Sequence, residues 1–285
     1  MRVPIRPLTD RWPGWLEVRA LRFFWADPRV LIERMPTAEQ FRTAVSAMNF
    51  GGTIKITGSN RHPGADALLV DNVDVSGKIV IDIGASDGST SLDLIRRLPD
   101  FKAYIIADLF LHMKARKSGS RVLFYDNDDA CVLVSGSRFV AWPSLSKLVR
   151  TIYWPVITHA AQQAEAPLEV LLLNPDVREL MASDDRVTYR VHDVFAPWQG
   201  EQPDAIKVAN LLRRLYFSDE QIANALEALL ASLKDGGHLL IVDNSRIPNM
   251  VSRGGLYQRV RDHFELVAGT PDVHEIADLV IATRL

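Results

Sequence analysis

Cys131 is the only cysteine in the chain, which excludes an internal disulfide and any zinc or iron–sulfur centre built on cysteines. A reducing, cytoplasmic setting is the expectation that follows. Long apolar runs are missing too. No stretch approaches the roughly 18 uncharged apolar residues that a spanning helix needs, so none is expected. The opening MRVPIRPLTDRWPGW breaks its apolar residues with charges and prolines and does not read as a signal peptide. Neither sign of charge dominates: 33 Lys and Arg stand against 35 Asp and Glu, a formal charge of −2. Electrostatics therefore nominates no nucleic-acid partner. Internal repeats and low-complexity tracts are also missing. What remains is 285 residues, 47% apolar and 24% charged, enough for one large domain or one domain with an elaboration.

Residues 1–70 read as an N-terminal helical and loop extension, a candidate substrate cover. Leu16 to Arg34 carries apolar residues at helical spacing around Asp27-Pro28, and Thr37 caps a second helical pattern running toward Met48. Thr53 to Thr57 alternates as a short strand, and residues 58–64 read as loop. From 71 to 285 the pattern is repeated strand then helix. Ile79 to Ile83 is a nearly continuous apolar strand, as expected where both faces of a sheet are covered. A helix from Ser89 to Leu98 follows, then a strand from Ala103 to Ala107.

Residues 112–165 interrupt this order. Three short β patterns (121–125, 130–135 and 138–141) predict a small meander, and 144–164 predicts a helix that Pro155 should kink or break. Trp142 and Trp154 read as hydrophobic anchors of this insertion. The alternation then resumes with a helix at 174–181 and strands at 186–191 and 205–208. Ser218 and Gln221 have capping-box spacing before a helix to Leu233. A strand at 238–242, a helix at 256–264 and closing strands at 264–268 and 279–282 complete the expectation. The fold class is α/β, a three-layer sandwich.

Candidate ligand-binding residues collect where strands end. Gly84 and Gly88 flank the loop after the first core strand: Gly84 allows a tight turn and Gly88 allows backbone to approach a ligand. Asp87 would repel a pyrophosphate beside the helix amides, whereas a cationic group suffers no such repulsion. Asp108 lies 24 residues after Gly84 at a strand end, and its carboxylate can accept both hydrogen bonds of a ribose diol. Asp193 and Asn210 sit at two further strand ends, and in an open α/β sheet such ends converge on one crevice. The G-x-G-x-x-G spacing of a dinucleotide fingerprint is missing.

The stretch Val80-Ile81-Asp82-Ile83-Gly84-Ala85-Ser86-Asp87-Gly88 resembles the acidic, glycine-rich first motif of class I S-adenosylmethionine-dependent methyltransferases. Ser86 stands where that family usually has another glycine. The resemblance extends over about 70–110 and 170–285. It implies a Rossmann-like methyltransferase sandwich with a mostly parallel seven-stranded sheet, carrying the β-meander and helical insertion. It also implies S-adenosyl-L-methionine as cofactor. Asp82, Gly84, Ala85, Ser86, Asp87 and Gly88 would then form the cofactor loop, with Asp108 on the ribose. His192-Asp193-Val194 resembles the adenine-reading segment, with Asp193 accepting from the exocyclic amine and Val194 packing on the ring. Ile206 to Asn210 is similar to the fourth strand, and Leu233 to Ile241 to the late helix–turn–strand signature.

Methyl transfer needs alignment more than acid–base chemistry. Asn210 is the candidate for orienting the methionine end or a polar group of the acceptor. His112 is the candidate proton acceptor. Arg246 and Tyr257, beside the loop after the fifth strand, are candidate acceptor contacts, Arg246 through bidentate recognition of an anion. No metal site is assigned. The leading expectation is an enzyme acting on a small-molecule acceptor, with a homodimer as a possible assembly and the 112–165 insertion shaping specificity or association. The other classes are a protein or RNA methyltransferase, a nucleotide-linked oxidoreductase or lyase, and a noncatalytic S-adenosylmethionine-binding protein.

Overall fold

A computed structural model describes residues 4–9, 11–13, 15, 24, 26–33, 36–50, 53–54, 60–244 and 252–285. In chain order the strands are β1 (Ile5–Pro7), β2 (Asn49–Phe50), β3 (Thr53–Ile54), β4 (Ile79–Ile83), β5 (Ala103–Asp108), β6 (His112–Ser118), β7 (Arg121–Tyr125) and β8 (Cys131–Ser135). They continue with β9 (Phe139–Ala141), β10 (Leu168–Leu171), β11 (Val187–Val191), β12 (Ala205–Ala209), β13 (His238–Asp243), β14 (Arg253–Val260) and β15 (His263–Gly269). The helices are α1 (Ala38–Val45), α2 (Pro63–Asn72), α3 (Ser89–Ile95), α4 (Lys147–Ala161), α5 (Pro175–Ser183), α6 (Asp219–Ser232) and α7 (Ala277–Ala282).

Two compact units result. One comprises Met1–Thr57 with Phe110–Asp176, the other Gly58–Leu109 with Val177–Leu285. The N-terminal segment and the insertion, separate in the sequence reading, therefore share a unit, because β1 hydrogen-bonds to β9. Helix α2, which the sequence reading left partly inside a loop, belongs to the second unit.

In the first unit six strands run β1-β9-β8-β7-β6-β10, each pair antiparallel. The sheet is wider than the three-strand meander expected. Thr37 caps α1 with a full capping box to Gln40, and Phe41, Ala44 and Val45 turn into the core. Trp142 is an anchor as expected: it is buried and its indole donates to the Ala47 carbonyl at 2.7 Å. Trp154, in contrast, is 60% exposed and anchors nothing within its unit. Helix α4 runs through Pro155 unbroken. Val149 and Ala160, buried on either side, hold both halves against Leu123 and Val134, and this offsets the roughly 3 kcal/mol that an internal proline costs. The expected helix at 16–34 lies mostly outside the described residues; within it, Pro28–Ile32 forms one short 3₁₀ segment.

The second unit is built on a seven-stranded sheet in the order β11-β5-β4-β12-β13-β14-β15. The first five strands are parallel, β14 is antiparallel to β13, and β15 is antiparallel to β14. Every residue of β4 is buried, Asp82 included, as expected of a strand covered on both faces. Helix α6 is capped by Ser218, whose hydroxyl accepts from the Gln221 amide while Gln221 reaches back. Its Ile222, Leu226, Leu229 and Leu230 enter the apolar cluster that also holds Ile81, Ile83 and Ile206.

Two sequence expectations are corrected here. Residues 256–264 form a strand hairpin rather than a helix: 256–260 lie in β14, 263–264 open β15 after a turn at 261–262, and β14 pairs with β13 on one side and β15 on the other. The adjoining Gly254 and Gly255 disfavour helix, and a side chain at Gly254 would come within 2.9 Å of Ala65. Residues 279–282 belong to helix α7, with Asp278 in its first turn, instead of a closing strand.

Candidate active site

The loop after β4 carries the first half of the site. Gly84 and Ala85 donate their amides to the Ala107 carbonyl at 2.8 and 3.1 Å, closing the loop over the end of β5. Gly84, Ser86 and Gly88 all adopt left-handed backbone, with φ of 75°, 59° and 76°. Ser86 thus occupies a conformation that favours glycine, the residue usual at that position of the resembled motif.

The glycines serve the protein's own packing. A Cβ on Gly84 would lie 2.7 Å from the Leu211 side chain, and one on Gly88 would lie 3.2 Å from Val177. The close approach expected at Gly88 is therefore made by helix α5 of the same unit. Asp87 is fully buried, and its Oδ1 accepts from the Ser89 amide at 3.0 Å, capping the first turn of α3 from within. Its part is to hold the loop.

Asp108 ends β5. Its Oδ2 accepts from the Ser86 amide at 2.8 Å, so this carboxylate and the glycine loop form one piece. Its carbonyl accepts from the His192 amide at 3.2 Å, which ties the end of β11 alongside. Asp193 is exposed, with Oδ1 accepting from the Phe195 amide at 3.1 Å. Val194 sits inside the apolar cluster with Trp198 and Ile222, a buried position in place of the expected ring contact.

Asn210 ends β12 in left-handed conformation, φ 56°. Its Oδ1 accepts from the Asn244 amide at 2.7 Å, beyond the end of β13, and its Nδ2 lies 3.0 Å from His62 Nε2. Gly84, Asp108, Asp193, Asn210 and Asn244 thus mark the carboxyl ends of five adjacent parallel strands. Each link is a hydrogen bond or a van der Waals contact. This is the crevice position for ligands in open α/β sheets.

Beneath the loop lies a buried charge cluster. Lys207, on β12 and wholly inaccessible, places Nζ 2.8 Å from Asp66 Oδ1 of α2 and 4.0 Å from Asp82 Oδ2 of β4. The first is an ion pair whose angle is not that of a hydrogen bond. Asp82 Oδ2 accepts from Ser91 at 2.8 Å and from the Tyr104 hydroxyl at 3.4 Å. Burial pushes the carboxyls of both Asp66 and Asp82 upward, opposed by Lys207. Asp82, expected as a cofactor residue, is buried in β4 and tied to Ser91 of α3 and Tyr104 of β5.

His112 begins β6 in the other unit, opposite Leu171. Tyr257 is buried on β14, its hydroxyl 2.6 Å from His274 Nε2, so it packs in the core where an acceptor contact was expected. Arg246 lies outside the described residues. Arg213 and Arg214, near the same sheet edge, are paired with Glu275, Asp219 and Asp278. Among the described residues no group of three or more His, Cys, Asp or Glu could hold a metal ion, and no helix is long and apolar enough to cross a membrane.

The sequence reading missed His62, Asp66 and Lys207. His62 is buried between the strand ends and α2, and its pKa is pushed down to about 3, by burial first and then by the Lys207 and Arg61 charges. Its imidazole is neutral at physiological pH.

Five parallel strands, one antiparallel neighbour and a seventh strand at the edge, with a glycine loop over the first, decide the architecture. The sheet is a Rossmann-like, mostly parallel seven-stranded α/β sandwich. No protein-family profile matches the chain, and no curated protein does. Solved structures with similarity include the N-methyltransferase NodS from Bradyrhizobium japonicum in complex with S-adenosyl-L-homocysteine. It is 16% identical, with TM-score 0.35, over 64% of this chain and 59% of that one. An O-methyltransferase family 2 protein from Planctomyces limnophilus, complexed with apigenin, is 15% identical with TM-score 0.33, over 62% of this chain and 37% of that one. Human N-acetylserotonin methyltransferase, in complex with SAM, is 13% identical with TM-score 0.32, over 63% and 33%. The chain thus spans well under two thirds of each, and the fold assignment rests on strand order instead.

Proposed function

We propose that the protein binds S-adenosylmethionine along the carboxyl ends of β4, β5, β11 and β12 and transfers its methyl group to a small-molecule acceptor. The observation that carries this reading is the join between the Gly84–Gly88 loop and Asp108 through the Ser86 amide. It holds an acidic acceptor beside the half-buried backbone of Gly84 and Ser86 at the carboxyl edge of the sheet. The polar side chains of this rim suit a nucleoside with a cationic sulfonium: they are the carboxylates of Asp108 and Asp193 and the amide of Asn210. Facing carboxylates make a pyrophosphate a poor fit. When bound, S-adenosylmethionine supplies an activated methyl group.

In this reading Asp108 accepts from the ribose hydroxyls and Asp193 from the adenine amine. The backbone of Gly84 to Gly88 borders the methionine end, and Asn210 orients the reacting end. Asp87 acts indirectly, by holding the loop. Arg246 is a proposed acceptor contact. A cytoplasmic location is part of the proposal, on the single cysteine.

Calorimetry tests the donor assignment. S-adenosylmethionine and S-adenosylhomocysteine should bind more tightly than NAD or NADP. Asp108→Ala should weaken that binding by roughly 1.5–3 kcal/mol for each charge-assisted hydrogen bond lost. Preferential NAD binding would defeat the assignment, and an unchanged affinity in the variant would make Asp108 structural. Intact-mass screening for a gain of one methyl then identifies the acceptor class.

A further inference from the structure

Asn210 is held in place by groups far from it in sequence. Its carbonyl oxygen accepts from the Asn244 backbone at 2.7 Å, which leaves Nδ2 to donate. Nδ2 faces His62 Nε2 at 3.0 Å, so Nε2 is the acceptor and the proton of the neutral ring sits on Nδ1. Asn244 agrees: with its side-chain amide turned to satisfy both neighbours, it donates to the same Nε2 at 3.3 Å and accepts from Arg61 Nε and Nη2 at 3.3 Å. His62 itself is 3% exposed and immediately precedes α2, whose Asp66 is fixed by Lys207. Its place is therefore set by the sheet interior.

We infer that His62 is a positioning residue for the donor site: it accepts a hydrogen bond from Asn210 and so fixes which face of that amide the ligand meets. This rests on the S-adenosylmethionine reading above. An amide at a strand end can rotate and present either a donor or an acceptor. With Oδ1 committed to Asn244 and Nδ2 to a neutral histidine, only one orientation satisfies both. The second Nδ2 hydrogen is then the group left for a ligand, and it is a donor. The chemistry selected on this side of the site is an acceptor atom, such as the carboxylate of the methionine moiety or a carbonyl of the substrate. A protonated imidazole could not play this part, since Nε2 would become a donor facing a donor. Burial first, and then the Lys207 and Arg61 charges, keep it neutral, and among the described residues Arg61, Lys207 and Asp66 are the charged groups around it.

The test is a double-mutant cycle read as S-adenosylhomocysteine affinity, with thermal melts to establish folding. His62→Leu should weaken binding about tenfold, the scale of one ordinary hydrogen bond. His62→Gln, whose Oε1 can accept from Asn210, should recover affinity to within about threefold of wild type. In the Asn210→Ala background His62→Leu should add no further loss. A folded His62→Leu variant with wild-type affinity, or losses that add across the cycle, overturns the role of His62 while leaving the donor reading intact. No binding by the wild-type protein overturns both. A measurement on the unmutated chain covers a variant that does not fold. In ¹⁵N-histidine-labelled protein, His62 Nε2 should be the unprotonated nitrogen, and its resonance should move on adding S-adenosylhomocysteine. A protonated Nε2, or a resonance unmoved at saturation, refutes the inference.

Discussion

The two sheets of this chain solve the burial problem in opposite ways. In the parallel sheet β4 and β12 are covered on both faces: β4 is buried throughout, and β12 is buried from Ala205 to Val208. In the antiparallel sheet β6 alternates, with Met113 and Ala115 inside and their neighbours His112, Lys114 and Arg116 more accessible. The first arrangement leaves no solvent face on which to put a charge. Yet it is the parallel sheet that buries Asp82 and Lys207. A charge there must find its partner within the core, and Lys207 does so across α2 and β4. In the antiparallel sheet Lys114 reaches an exposed partner, Asp129, at 2.8 Å, where water shares the work.

The largest test of that contrast is Lys207→Met. It leaves two buried carboxyls without their cation and should cost about 3–5 kcal/mol in urea unfolding. Lys114→Met should leave the unfolding midpoint essentially unchanged, as exposed pairs do. Equal effects would erase the distinction. Next comes the turn that closes the parallel sheet. Gly84→Ala forces a side chain into left-handed backbone and against Leu211, and a loss of about 1–3 kcal/mol is expected. An unchanged unfolding midpoint would mean that Leu211 yields freely.

A pH test follows. His274 is held near a pKa of about 4, chiefly by burial, against 6.5 unfolded. The unfolded chain therefore binds this proton more readily. Its contribution is fully present above pH 6.5 and drains away as pH falls toward 4. Between pH 6.5 and 5 the wild type should lose about 2 kcal/mol more than His274→Gln. Parallel stability curves for the two proteins would remove His274 from the account. The smallest effect belongs to the antiparallel unit. Trp142→Phe keeps most of the ring burial but loses the bond to Ala47, for about 1 kcal/mol. A loss as large as that of Lys207→Met would show that this unit depends on its buried polar groups just as heavily.

The sequence was most readable where one local cause sufficed. The nearly continuous apolar run at 79–83, the glycines after it, the Thr37 cap and the Ser218–Gln221 capping box all act within a few residues, and the structure has each. Residues 256–264 misled because Leu256, Val260 and Phe264 sit at helical spacing by coincidence. Their conformation was decided by unsatisfied ladder groups on β13, which no local pattern reveals. Asp82 and Asp87 had the composition of ligand residues, but both are buried, Asp82 on Ser91 and Tyr104 and Asp87 on the Ser89 amide.

The sequence by itself determined a parallel α/β core, the position of its glycine loop and the acid that follows on the next strand, because periodicity and turn chemistry are local. Tertiary structure alone decided the roles of Lys207 and His62. Lys207 lies in a strand whose partners are on α2 and β4, and His62 meets Asn210 across 148 residues of chain. A hydrogen bond or an ion pair is set by distance in space, and only the folded sheet brings those atoms within reach.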